Sequence, residues 1–234
     1  MHTFNIGEAI SGGIKAAAKK AGPLLLTFLV AGAINFGVQY LLIGDISTVS
    51  SLEEINPAKI GLAGLINLIA GIFIGVAALT ISLDAVFNRE FFFSNITKNF
   101  SRIPQLILAG ILIALMSLVN IIPVLGWIAF AVIYFMIIQS PLLIVDQKLS
   151  AIESFKKSKQ LMEGNKLRML GLLIIVVIVS MVISLATVVL GPIGPILTSI
   201  VIGPFSVCIM AHVYKQLTQG PVATATEKVK QAVS

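Results

Sequence analysis

Residues 103–145 read IPQLILAGILIALMSLVNIIPVLGWIAFAVIYFMIIQSPLLIV, a run without a single Asp, Glu, Lys or Arg. As one helix it would extend on the order of 60 Å, about twice the hydrocarbon thickness of a bilayer. It therefore has to fold back, and Pro123 with Gly126 marks the place. Proline lacks the N–H that a continuing helix needs, and glycine permits a tight return. Residues 169–214 repeat the argument: that run is also free of charge, and Gly191-Pro192-Ile193-Gly194-Pro195 interrupts it near the middle. Two more apolar runs bring the set to six, namely 22–43, 60–83, 103–122, 124–145, 169–190 and 193–214. Each is long enough to cross a hydrocarbon core as a helix. The expected fold class is an all-α integral membrane protein, with six transmembrane helices arranged as three hairpins.

The charges follow the same division. Segments 1–21, 84–102, 146–168 and 215–234 hold 3, 3, 6 and 3 of the 16 Lys and Arg residues, and Lys59 is the one left for the other side. Cytoplasmic loops of membrane proteins carry such an excess. The asymmetry predicts a multi-pass protein of the cell (inner) membrane with both termini cytoplasmic. Composition agrees: 57% of residues are hydrophobic, 11% are charged and the mean hydropathy is +1.03, whereas a soluble domain carries about 25% charged residues. The pI near 9.6 could point to nucleic acid, but the basic residues lie in short segments between apolar spans. Anionic headgroups are the partner such placement suits, and no nucleic acid is expected. Cys208 stands alone, which excludes a disulfide within the chain and a thiolate metal cluster. Ala31-Gly32-Ala33 has the small-residue pattern of a cleavage site, but the apolar run continues to Ile43, so the first span reads as retained.

A short amphipathic segment precedes each pair of spans. In 6–21, Ile6, Ile10, Gly13, Ile14 and Ala17 share one helical face opposite Glu8, Lys15 and Lys19. In 92–103, Phe92, Phe93, Ile96, Phe100 and Ile103 oppose Lys98 and Arg102. In 150–165, Ala151, Ile152, Phe155, Leu161 and Met162 oppose Glu153, Lys156, Lys157 and Gln160. All three follow the helical period, and basic amphipathic helices beside spans lie in the membrane interface. The expected organisation is one domain over 1–218, in units of about 1–83, 91–145 and 150–214, followed by a flexible tail at 219–234. Pro23 and Pro104 open the first span of two units. All three units enter from one side, so the pattern would be a parallel repeat.

Ionisable groups at membrane depth are costly and usually mark transport or catalysis. The six runs contain none except His212, close to the end of the last one, where packing or a hydrogen bond is the expected role. Asp84 and Asp146 fall just past the inner ends of the second and fourth spans, either as wet end-markers or as partners for basic residues of a neighbouring interfacial helix. Uncharged polar residues do occur within the spans. Of these, Asn35, Gln39, Asn67, Asn120 and Gln139 form a candidate in-membrane polar path, with hydrogen bonding between helices as the default alternative. Ser140-Pro141 and Gly203-Pro204 are expected to kink their spans. No phosphate loop, nucleophile elbow, zinc motif or paired catalytic carboxylate is present in the sequence. No enzyme activity, cofactor or metal is expected.

Residues 140–170, SPLLIVDQKLSAIESFKKSKQLMEGNKLRML, contain a proline-bearing span end, an acidic residue and a short helix of the form A-x-x-x-F-K-K-S-x-x-L-M-x-G-N-K before a new span. The stretch resembles a bacterial and archaeal group of multi-pass membrane proteins. That group includes the membrane domain of some glycerophosphoryl diester phosphodiesterases and sister families of unknown function. Pro141, Asp146, Ala151, Phe155, Lys156, Ser158, Met162, Gly164, Asn165 and Lys166 carry the likeness. It implies a six-helix membrane fold with cytoplasmic interfacial helices, and it does not bring the phosphodiesterase activity, which belongs to a separate soluble domain. The motif reads as a structural elbow involving Asp146, Ser158, Gly164 and Asn165, since Gly and Asn tolerate the left-handed helix cap. Lys156, Lys157, Lys159, Lys166, Arg168, Lys98 and Arg102 form the candidate lipid or partner face. The functional expectation is a non-enzymatic membrane protein acting through lipids or partner proteins, such as an accessory subunit, a homo-oligomer, or a factor in membrane homeostasis or protection against membrane-active peptides. The alternative is a transporter or channel for an uncharged, lipophilic or peptide substrate.

Overall fold

A computed structural model of the chain describes residues 3–42 and 56–219. The acidic loop around Asp45, Glu53 and Glu54 and the tail beyond Gln219 lie outside the described residues. Among the described residues the protein is all helical, with no strand. Ten α-helices follow in order: α1 (Ile6–Lys19), α2 (Ala21–Leu42), α3 (Pro57–Val86), α4 (Phe93–Asn99), α5 (Ile103–Ser117), α6 (Leu125–Ile137), α7 (Ser140–Gln147), α8 (Ala151–Met162), α9 (Lys166–Thr187) and α10 (Gly194–Gln219). Six helical segments are long and apolar enough to cross a membrane: Ala21–Leu42, Pro57–Val86, Phe93–Ile121, Leu125–Gln147, Lys166–Thr187 and Leu197–Gln219.

The turns fall where proline and glycine placed them. A 3-10 turn, Leu118–Ile121, closes the third segment, and Val124 with φ 63° reverses the chain into α6. Gly126 then passes so close to Val119 that an added Cβ would stand 2.0 Å from its carbonyl oxygen. The last turn pivots on Gly191, φ 57° and ψ −136°. Ser140-Pro141 does break its segment, since α6 stops at Ile137 and α7 restarts at Ser140. Pro204 behaves differently: it sits inside α10, which continues through it.

Burial is strongly graded along the bundle. From Thr80 to Val86 every residue of α3 is buried, so protein surrounds that end of the helix, whereas Leu62, Leu65, Leu68 and Ile69 near its start are exposed. The main core gathers Leu24, Ile81, Leu83, Leu142, Leu143, Val145, Cys208, Ala211 and Tyr214, all from the same end. A second cluster joins Phe4 and Ala9 to Met162, Met169, Leu172, Val213 and Leu217. The other halves of the spans expose residues such as Leu41, Ile121 and Val189. In a bilayer this is no liability, because lipid tails solvate leucine as well as a neighbouring helix does.

The short helices pack with their small residues. α1 buries Ala9, Gly13, Ala16 and Ala17 and lies along α10, its Gly13 pressed against the Ile209 backbone, while Ile14 stays exposed. α8 buries Ala151, Ser154, Ser158 and Met162 against α6 and α7, and Ile152 is exposed. The large aliphatic residues of the expected faces therefore do not make the tightest contacts. Small side chains let backbones approach closely, which is how helices associate where water supplies no driving force. α1 and α2 begin at Ile6 and Ala21, and α8 and α9 at Ala151 and Lys166, an offset of fifteen residues in both pairs. α4 is shorter and runs through one 3-10 turn, Phe100–Arg102, straight into α5.

Gly126→Ala is expected to lower the thermal midpoint in detergent micelles by the equivalent of about 1–3 kcal/mol, through overpacking against Val119. Gly110→Ala, where an added methyl meets open space, is expected to leave the midpoint unchanged or slightly raised.

Candidate functional site

The C-terminal ends of α3, α7 and α10 converge, and Asp146 stands between them. Asn88, at φ 53°, turns the chain after α3, and the Arg89 N–H donates to the Asp84 carbonyl at 2.8 Å. This brings the Arg89 guanidinium to 2.9 Å from one Asp146 oxygen. The hydroxyl of the fully buried Tyr214 donates to the other oxygen at 2.8 Å, and itself accepts from Gln147 at 2.9 Å. Lys157 donates to Gln147, which adds α8 to the junction. Phe87 lies edge-on to Tyr214 and beneath Arg89, and Lys215 donates to the Val86 carbonyl at 2.9 Å. The Arg89 side chain is 49% exposed, so the ion pair by itself contributes at most about 1 kcal/mol. The buried Tyr214 hydroxyl, bonded to a charged acceptor, is the stronger contact, about 1.5–3 kcal/mol.

Beside this junction α4 packs on α3. Asn95 donates to the buried Asp84 carboxylate at 3.2 Å, and Asn99 donates to Thr80 at 2.9 Å. Lys148 takes the left-handed conformation, φ 59°, at the end of α7. Its ammonium reaches inward to Asn99, while its carbonyl accepts from Arg102 at 3.1 Å. Partial burial, and then the nearby Arg102 guanidinium, push the Lys148 ammonium below the usual lysine range. Between these groups lies an open cavity of about 430 Å³. Two carboxylates, Asp84 and Asp146, and four cations, Arg89, Lys98, Arg102 and Lys148, line it.

The elbow forms a third polar cluster. Ser150 and Glu153 cap the start of α8 reciprocally, and the Ser150 hydroxyl and then its N–H hold the Glu153 carboxyl below the usual range. Ser158 donates to the Met136 carbonyl at 2.8 Å and accepts from the Gln139 N–H at 3.2 Å. Gly164 is left-handed, φ 76°, and delivers Asn165 into the interior. There Asn165 Oδ1 accepts from the Phe4 N–H at 3.2 Å, and Arg168 donates to the Phe4 carbonyl at 3.2 Å. Asn5 caps α1 by accepting from Glu8, and its own N–H donates to Gln216 at 2.7 Å. Phe4 and Asn5 are thus seated on the α8–α9 elbow and on α10.

Of the candidate face, Lys156, Lys159 and Lys166 are exposed, Lys157 and Arg168 are engaged as described, and Lys98 and Arg102 line the cavity. Ser158, Gly164 and Asn165 act together in the elbow, whereas Asp146 belongs to the separate junction with Arg89 and Tyr214. The polar-path residues are scattered. Asn35 and Gln39 are exposed on α2, Asn67 and Asn120 are half-buried, and Gln139 is buried at the break between α6 and α7. None of them lines either this cavity or the apolar groove of about 340 Å³ that α9 and α10 form under Ile10 and Ile14 of α1. His212 meets Gln216 at 3.2 Å. Among the described residues no three His, Cys, Asp or Glu side chains gather as a metal set. Sequence reading missed Arg89, Asn99, Lys148, Tyr214 and Phe4. The capping pairs Asn5/Glu8 and Ser150/Glu153 were the available signal for where α1 and α8 begin. The chain matches no family model, no curated protein and no solved structure.

Gly164→Val forces a β-branched residue into left-handed backbone and is expected to reduce folded yield. Asn165→Ala leaves the Phe4 N–H without its acceptor and is expected to cost about 1–3 kcal/mol in thermal unfolding. Lys166→Ala, on the exposed surface, should stay within about 0.5 kcal/mol of the parent.

Proposed function

We propose that the chain is a non-enzymatic multi-pass protein of the cell (inner) membrane that acts through anionic lipids and partner proteins at its charged end. In this reading the charged end and both termini are cytoplasmic. The six spans form three hairpins, with α1, α4 and α8 at the interface. The observation that carries the proposal is the collection of cations from all three units at one end of the bundle, where Lys156, Lys159, Lys166 and Lys98 remain exposed. Juxtamembrane basic residues attract anionic headgroups by about 1 kcal/mol each.

Catalysis finds little support in the geometry. Asp146 is held by Arg89 and Tyr214, and Asp84 by Asn95, so neither is positioned as a free base or nucleophile. Transport would need a shared polar cavity, and Asn35, Gln39, Asn67, Asn120 and Gln139 line neither of the two cavities described. Kinship with the membrane domain of glycerophosphoryl diester phosphodiesterases is part of the proposal and rests on the residues from Pro141 to Lys166.

The test is extraction of the protein with its surrounding lipid in polymer-bounded discs. The co-isolated lipid is expected to be enriched in anionic species over the bulk membrane. Lys156→Gln with Lys159→Gln and Lys166→Gln should reduce the enrichment without changing the thermal midpoint. A wild-type lipid shell of bulk composition would contradict the lipid role.

A further inference from the structure

We propose that the cavity between α3, α4, the 3-10 turn Phe100–Arg102 and α7 is a discrete binding site for a phosphate group, held by Lys98, Arg102 and Lys148. The argument starts from charge balance. Arg89 and Asp146 neutralise each other in the one ion pair found among the described residues. Asp84 is the only other carboxylate in the lining, and its bonded partner is the neutral Asn95. Lys98, Arg102 and Lys148 are therefore left with one carboxylate among three positive charges. Such convergence is costly when no anion answers it, and the depressed basicity of Lys148 has Arg102 among its causes.

Donor supply points the same way. Lys98 is exposed, and among the described residues its ammonium has no bonded partner. Arg102 spends one terminal nitrogen on the Lys148 carbonyl, while its Nε is buried without a protein partner. Buried polar atoms in folded proteins are nearly always bonded, so an open Nε beside a cavity calls for an acceptor. The Ser101 hydroxyl lines the same space. Three cationic side chains around one space suit a phosphate group, which carries more negative charge and more terminal oxygens than a carboxylate and pairs bidentately with arginine. The volume, about 430 Å³, lies within the usual range for small-molecule sites.

Two sources carry this chemistry: a phospholipid headgroup and a soluble phosphate ester. The lipid source rests on the proposed placement of the charged end among headgroups. Phe92 and Phe93, exposed at the start of α4, would then give the same short helix an apolar anchor beside its cations.

The test uses the full chain in phosphatidylcholine nanodiscs. One arm adds phosphatidic acid to the disc, and the other adds glycerol 3-phosphate or inorganic phosphate to the buffer. Binding is read by native mass spectrometry and by the shift in thermal midpoint. Lys98→Gln, whose ammonium has no bond to lose, is expected to fold normally and weaken binding at least about tenfold. Lys98→Gln with Arg102→Gln should abolish it. Lys156→Gln with Lys159→Gln removes equal charge outside the cavity; it is expected to leave glycerol 3-phosphate binding intact and to weaken phosphatidic acid binding less than the Lys98→Gln, Arg102→Gln pair does. Binding by the lipid alone, by the soluble probes alone, or by both in competition supports the site and names its source. No binding in either arm would overturn it. Equal weakening by the α8 pair would overturn the discrete site while leaving the diffuse lipid role standing. A bulk-like lipid shell around a protein that still binds glycerol 3-phosphate would do the reverse.

Discussion

Charge cannot rest in hydrocarbon without help, and most of this structure follows from that. A lysine or aspartate at the bilayer centre costs roughly 3 kcal/mol even on the mildest scales. Among the described residues the Lys, Arg, Asp and Glu side chains lie on the short helices, in the loops and near the ends of the apolar helices. The helices that carry them must then be accommodated at the charged end. α1, α4 and α8 are packed there, and Asp146 joins the ends of α3, α7 and α10, with Arg89 on one oxygen and Tyr214 on the other.

The same constraint explains the burial gradient. Inside a bilayer, hiding leucine from lipid gains almost nothing, so helices associate by close packing and hydrogen bonds. Both resources are concentrated at the charged end: alanine, glycine and serine seams on α1 and α8, and side-chain bonds that link distant segments. Phe4 illustrates the result. Its side chain is buried, both of its backbone polar groups are bonded to the elbow, and Asn5 is tied to α10. Removing one partner would leave a desolvated group behind, so the cost of each loss exceeds the modest net gain of forming the bond.

How legible this was in the sequence varied with the range of the interaction. Spans and turns could be read because they depend on runs, prolines and glycines within a few residues, and the Pro123–Gly126 turn and left-handed Gly164 are where local reasoning put them. The expected faces of α1 and α8 turn inward except at Ile14 and Ile152, because hydrophobic periodicity weights those residues above Ser154 and Ser158, while tight packing favours the small side chains. Asp146 was noticed, but its partners Arg89 and Tyr214 lie 57 and 68 positions away, and no local pattern announces them. Neither described cavity gathers the polar-path residues, for a related reason. Composition placed Asn35 and Gln39 in a span, but which side of the helix meets protein is decided by its neighbours.

The central claim is that the basic segments meet at one end of a six-span bundle, and that this end faces the cytoplasm. Single cysteines report it most directly, in a Cys208→Ser background, with an impermeant thiol reagent applied to intact cells. Lys59→Cys at the start of α3 is expected to label at once, and Lys159→Cys on the exposed side of α8 only after permeabilisation. Labelling of both positions from the same side would contradict the account.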